Sequence, residues 1–256
     1  MNAAQDTTAR RSSPRAAKQS EVVARELLHR IVAEKLPEGT RLPTEKVMAE
    51  ELAIGRSTLR EALRILESHG VLTIRAGRAG GPIVRHPRPS DLGQALTMLL
   101  QFEGASFSDV FEARHALEPR LAAMAATRIR APALARLQQT ILRMEEYLDE
   151  SVVFQRENLV FHEVIAEASG SNVLRLLMLA VESVAGGTAF GPSGTESYSR
   201  AQRAAVLAAH KRIYEALAAG DEAASEAAMA DHSKEAGGFW KAANRDLSKH
   251  HVQWGR

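Results

Sequence analysis

The sequence predicts a mainly α-helical chain: an N-terminal winged helix-turn-helix of three helices plus a β-hairpin wing, then an all-α antiparallel helical bundle. Three observations predict it. Apolar residues recur at helical spacing along most of the chain. Two short β-like runs, Val71–Ile74 and Pro82–Val84, flank a basic glycine loop directly after a third amphipathic segment. Beyond residue 93 no strand pattern occurs, and breaks at Gly104, Pro132, Gly170, Gly191–Pro192 and Gly220 separate long helical stretches.

The elements follow in order. Residues 1–18 are Ala, Ser, Thr and Arg without an apolar period, which predicts a disordered basic tail. Residues 19–86 form the first domain. Val23, Leu27, Leu28, Ile31 and Val32 mark the face of a first helix. Thr44 caps a second helix carrying Val47, Met48 and Leu52, after the loop LPEGTRLP. Ala53–Ile54–Gly55 makes a tight connection to a third helix with Leu59, Ala62, Leu63 and Leu66 inward, and Gly70 ends it. Two strands complete the unit as a hairpin. Residues 87–93 read as a linker, 94–245 as the helical domain and 246–256 as a tail without a clear role. The helical segments are expected over about 91–102, 108–129, 131–150, 155–169, 172–188, 196–219 and 221–245.

Composition excludes several functions. The 256 residues include no Cys, so disulfides and thiolate metal sites are ruled out. No apolar run approaches the roughly 18 residues that span a bilayer. The first residues lack the apolar core of a secretory signal, so a cytoplasmic protein is expected, on the nucleoid when bound to DNA. Charge is uneven: residues 1–86 hold 15 basic against 10 acidic residues, and the remainder 18 against 21. A basic front half points to a polyanion partner, though an excess of this size is also met in a solvated basic surface.

The third helix opens Gly55–Arg56–Ser57–Thr58–Leu59–Arg60. With Leu59 inward, Arg56, Ser57, Thr58 and Arg60 crowd its exposed N-terminal turn, the end with which a recognition helix enters the major groove. Arg pairs bidentately with guanine, and short hydroxyls reach phosphates or bases. Lys46, at the start of the second helix, reaches the backbone or a base edge. In the wing, Gly77 permits close approach to the minor groove, and Arg75 and Arg78 supply charge. Double-stranded DNA is the partner this pattern predicts.

The second domain carries a different constellation. Asn158 and His162 are four apart, so they share one face of a helix. His210 and His232 lie on later helices that can fold back on it. Three imidazoles and an amide oxygen would make an N/O site suited to Zn, Ni, Mn or Fe. The alternative is three satisfied core histidines. Arg114 and Glu118 are also four apart, which allows a plain ion pair. Glu157, Glu163 and Glu167 are near the histidine motif, but none is spaced as an obvious general base. No nucleophile elbow, phosphate loop or H-E-x-x-H occurs, so no enzyme is expected.

The stretch GTRLPTEKVMAEELAIGRSTLREALRILESHGVLTIRAGRAGGPIV resembles the DNA-binding domain of the GntR family of bacterial regulators. The resemblance implies DNA contacts at Lys46, Arg56, Ser57, Thr58, Arg60 and Gly77. It departs at Gly55, where the family usually has Ser or Thr, and at Ala76, where some relatives carry a polar residue. The strings SDVFEARHALEPRLAAMAA, ENLVFHEVIAEASGSN and HKRIYEALAAGDEAASEAAMADH resemble the FCD ligand-binding domain of the FadR-type branch. This implies a divalent metal, zinc foremost, on Asn158, His162, His210 and His232. It also implies that Arg114 faces a cavity and meets the carboxylate of a small organic-acid effector. Asn158 stands where the family more often has Asp.

The function expected is therefore an effector-responsive transcription regulator, a repressor that binds a palindromic operator as a homodimer. The alternatives are a metal sensor whose effector is the metal itself, and a metalloenzyme with an accessory DNA-binding domain.

Overall fold

The computed structural model describes residues 14–77, 80–187, 198–243 and 252. The chain divides into two compact units between Arg88 and Pro89. In the first, α1 (Pro14–Ala33), α2 (Glu45–Glu51) and α3 (Arg56–Ser68) precede β1 (Leu72–Arg75) and β2 (Gly81–Val84). The strands pair antiparallel, with Leu72 opposite Val84 and Arg75 opposite Gly81. A backbone bridge from Arg41 to Ile83 adds a third short line to the wing.

The inward face of α3 is the one its spacing predicts: Leu59, Ala62, Leu63 and Leu66 are all buried. Burying each leucine stabilises the unit by about 1.5–3 kcal/mol. Their partners are Val23, Leu27 and Ile31 of α1 and Met48 of α2. Two expectations fail in part. Leu28 and Val32 of α1, and Val47 of α2, stand exposed. The buried stripe of α1 is narrower than its apolar content, because Val23, Leu27 and Ile31 already fill the contact with α3. The tail expected over residues 1–18 is helical from Pro14; residues 1–13 lie outside the described residues.

The second unit is built from α4 (Pro89–Glu103), α5 (Phe107–Ala126), α6 (Ala131–Glu146), α7 (Ser151–Ala168), α8 (Asn172–Gly187), α9 (Arg200–Ala219) and α10 (Glu222–Ala243). α5 is central and packs against α7, α8, α9 and α10. Asp109 starts it by accepting from the Ser106 N–H and hydroxyl. Gly220, at φ +69°, ends α9. The core joins Leu137, Met144, Phe154, Phe161, Ile165, Val206 and Ile213.

Two more expectations are corrected here. The linker expected over 87–93 is helical from Pro89. Gly93 is buried against α8, where a Cβ would sit 2.9 Å from the Ala180 carbonyl oxygen. It serves close helix packing, not chain flexibility. In the tail expected over 246–256, Val252 is buried beside Val110 and Val184, and its N–H donates to the Ala105 carbonyl at 2.7 Å. No described helix is long and apolar enough to cross a membrane.

Candidate functional site

Two sites sit in separate units. In the first, α2 ends at Glu51, Ala53 follows at φ +51°, and the chain turns through Ile54 and Gly55 into α3. Gly55 is the N-cap and offers no side-chain bond to the first turn. The orphan N–H groups there are left for water or an anion. Arg56, Ser57 and Arg60 are exposed around this turn, Thr58 is half-buried, and Lys46 is exposed on α2. Arg60 is tethered, its Nε donating to Glu45 Oε2 at 2.6 Å. In the wing, Arg75 is exposed and Gly77 holds φ +103°, a conformation that suits glycine. Gly80 has no room for a side chain, since a Cβ there would lie 2.9 Å from the Ala76 oxygen. Arg78 lies outside the described residues.

In the second unit, α7, α9 and α10 bring His162, His210 and His232 together. All three are buried. His232 Nε2 lies 3.2 Å from the Nε2 of both His210 and His162. One ring nitrogen holds either one proton or one lone pair. His232 therefore cannot make a full hydrogen bond to each neighbour, whereas three converging lone pairs suit a cation. Burial is the largest influence on each imidazole and lowers its pKa. His232 falls to about 3, and His210 goes well below its ordinary value with the neighbouring rings adding to the effect. Neutral imidazole is the ligand form. The donor set therefore fits a metal ion: three buried histidines with their ligand atoms within 4.8 Å of one another.

Beside them is a cavity of ≈ 30 Å³ lined by Arg114, Glu118, Asn158, His162, Tyr198 and His232, among others. The structure thus brings Asn158 and Arg114 to the lining of one cavity with two of the histidines. Arg114 is also ion-paired: its Nε and Nη2 donate to Glu118 Oε1 at 3.1 and 2.7 Å. The plain ion pair and the cavity position are both present. His115 and Asn172 are exposed, and Tyr214 packs on the main core. Glu157 is buried in ion pairs with Arg143 and Arg156.

Glu118 is the residue sequence reasoning undervalued. Its Oε2 accepts from Ser233 Oγ at 2.6 Å, and its Oε1 lies 3.5 Å from His162 Nδ1. Burial pushes its carboxyl up, but Arg114, His162 and Ser233 hold it down at about 2. Arg114 stays charged, because Glu118 and Glu182 more than offset its burial. Glu182 is itself pushed up to about 7 by burial, against the pull of Arg114. The i,i+4 spacing from Arg114 was the only signal for Glu118. Ser233 could be found only as the neighbour of His232.

Comparison with known proteins identifies the family of both units. Residues 19–80 match the family "Bacterial regulatory proteins, gntR family" and residues 109–235 match the FCD domain. The chain is 28% identical over 199 residues to the HTH-type transcriptional regulator LutR of Bacillus subtilis, covering 77% of this chain and 90% of LutR. It is 30% identical over 194 residues to the HTH-type transcriptional regulator Rv0494 of Mycobacterium tuberculosis, covering 75% of this chain and 77% of that protein. A solved structure described as Streptococcus agalactiae GntR superposes with a TM-score of 0.66 at 28% identity, over 85% of this chain and 98% of that one. The matched families and these relatives are regulators of transcription, not enzymes. The chain belongs to the GntR family of bacterial regulatory proteins: it is a DNA-binding transcription regulator with a C-terminal FCD effector-binding domain.

Proposed function

We propose that this regulator is a cytoplasmic, ligand-responsive repressor that binds a palindromic operator as a homodimer. Its effector is a small organic acid bound beside a divalent metal in the helical domain. The observation that carries this reading is the convergence of three buried, neutral imidazoles next to a cavity that Arg114 also lines. His162, His210 and His232 would hold the ion, with Asn158 as the oxygen donor. Zinc suits this set best, with Ni, Mn or Fe also compatible. When bound, the ion supplies a Lewis-acidic anchor for a carboxylate or hydroxyl oxygen. Arg114 supplies the second anchor, since guanidinium recognises carboxylate.

On the DNA side, Arg56 and Arg60 read base edges. Lys46, Ser57 and Thr58 hold phosphates or bases, and Arg75, Gly77 and Arg78 form the wing contact. Two-fold symmetry of the protein would match the inverted repeat. Effector binding biases the placement of the DNA-binding heads, a coupling typically worth about 1–3 kcal/mol.

The test combines metal analysis of the purified protein with binding to the DNA upstream of its own gene and to unrelated DNA. We expect bound metal and a preference of about 10³-fold or more for the upstream fragment. One acid in a panel of short carboxylates should shift that affinity about 5- to 150-fold. No shift across the panel with metal bound refutes the effector role. DNA affinity set by metal alone would instead make the metal the effector.

A further inference from the structure

His162 and His210 differ in what lies beside their rings. A histidine's χ2 torsion is broad, so a metal-binding imidazole needs an outside restraint. The usual one is a hydrogen bond from the nitrogen that does not face the metal, to a carboxylate, carbonyl or water. His162 has the Glu118 carboxylate 3.5 Å from Nδ1. Among the described residues, Nδ1 of both His162 and His210 is buried without a hydrogen-bond partner, but His210 lacks even a carboxylate at ion-pair distance. Its ring instead lies flat against Phe161, with centroids 4.0 Å apart and planes 8° from parallel. The same phenyl ring meets His162 edge-on, at 5.9 Å and 83°. Phe161 is fully buried and directly precedes His162 on α7.

We infer that Phe161 is a positioning residue for the metal site, fixing the His210 imidazole by stacking where no hydrogen bond to Nδ1 does so. This rests on the metal reading above. Stacking restricts rotation of His210 about χ2 and leaves its Nε2 turned toward those of the other two histidines. The contact also strengthens when a metal binds. An imidazole that donates its lone pair to a cation becomes electron-poor, and the face of an electron-rich phenyl ring attracts positive charge. Phe161 thus favours the loaded site over the empty one, which ordinary core packing does not. One turn of α7 contributes both a ligand, His162, and the restraint on a ligand from α9.

The test uses the full chain, stripped with a chelator and titrated with Zn²⁺ in competition with a chromophoric chelator, then with Co²⁺ to record the d–d absorption. Phe161→Leu removes the ring face. Phe154→Leu removes the same side chain from the same core and helix, where Phe154 is equally buried, and serves as the packing control. Phe161→Met is measured alongside, so that a folding failure of the leucine variant leaves the comparison intact. We expect the Phe161 variants to lose about tenfold or more in Zn²⁺ affinity, the scale on which outer partners of metal ligands act, and to show an altered Co²⁺ spectrum. Phe154→Leu should lower the melting temperature yet keep the wild-type affinity within about threefold and the wild-type spectrum. Equal losses in the Phe161 and Phe154 variants, or wild-type affinity and spectrum in the Phe161 variants, overturn the inference and leave the metal reading intact. A wild-type protein that takes up neither ion overturns both.

Discussion

Glu118 reaches toward His162, with Oε1 3.5 Å from Nδ1, while the same oxygen accepts two hydrogen bonds from Arg114. One buried carboxylate therefore faces the candidate effector anchor and a candidate metal ligand. The Ser233 hydroxyl, next to His232, occupies its other oxygen. A change at either site is felt by the group that serves the other.

Glu118→Gln keeps the shape and removes the charge. It leaves Arg114 largely buried and unpaired, which should cost about 3 kcal/mol or more in unfolding free energy. It should also lower metal affinity about 10- to 100-fold, because the His162 ring loses its anionic neighbour. The double variant Glu118→Gln/Arg114→Met separates the two effects. It should recover most of the stability, since the buried guanidinium left without Glu118 is gone, but not the metal affinity. Recovery of both would mean Glu118 serves only to neutralise Arg114.

The metal-free protein should lose stability in acid. Each of the three histidines binds a proton less readily folded than unfolded. Their contribution is present above the ordinary value of 6.5 and is lost as the pH falls toward about 3, the value for His232. Glu118 adds the same sign lower down, losing its contribution between 4.5 and about 2. Glu182 acts oppositely. Its carboxyl is raised from 4.5 to about 7, so its contribution is full below 4.5 and lost as the pH rises through about 7. Melting temperatures of the chelated protein from pH 7.5 to pH 4 should therefore fall with acid, and fall more steeply in Glu182→Gln. A flat profile in both would mean the histidines are hydrated in the empty protein.

What was legible in the sequence follows from which interactions are local. The buried face of α3 could be read completely, because one helix packed on one core obeys one period. The histidines could be gathered into one candidate site because each sits in a distinctive string. Glu118 could not be read as a hub, since its partner Ser233 is 115 positions away. Nothing in the string ENLVFH says which ring Phe161 faces. Gly93 imitated a linker residue for a similar reason. A glycine that admits a neighbouring helix and one that loosens a chain are identical in sequence, and the Ala180 carbonyl and Ser183 side chain against Gly93 tell them apart.

At the candidate DNA face, Arg56 and Arg60 should not behave alike. Arg56→Ala should cost about 1–3 kcal/mol of operator binding if the side chain reads a base, with a smaller effect on unrelated DNA. Arg60 is held by Glu45, so binding must first release it. Glu45→Gln weakens that tether and removes a negative charge from the candidate DNA face. Operator affinity, measured by anisotropy at fixed salt, should rise in Glu45→Gln and fall in Arg56→Ala. Unchanged affinity in Arg56→Ala would remove it from the recognition surface.

The turn that leads into α3 stores strain at Ala53. Its φ of +51° is the left-handed region, which costs an L residue roughly 1–2 kcal/mol. Glycine adopts it freely but gives up about 0.5–1 kcal/mol of chain entropy on folding. The balance favours Ala53→Gly by about 0.5–1 kcal/mol, consistent with the penalty seen when alanine is forced to positive φ. For a unit of this size that is several degrees in melting temperature, read as a shift of the N-terminal unit's transition in the full chain. Operator affinity should stay level, because α3 keeps its buried face and its exposed first turn. A lower melting temperature would show that the alanine methyl makes a packing contact worth more than the strain it carries.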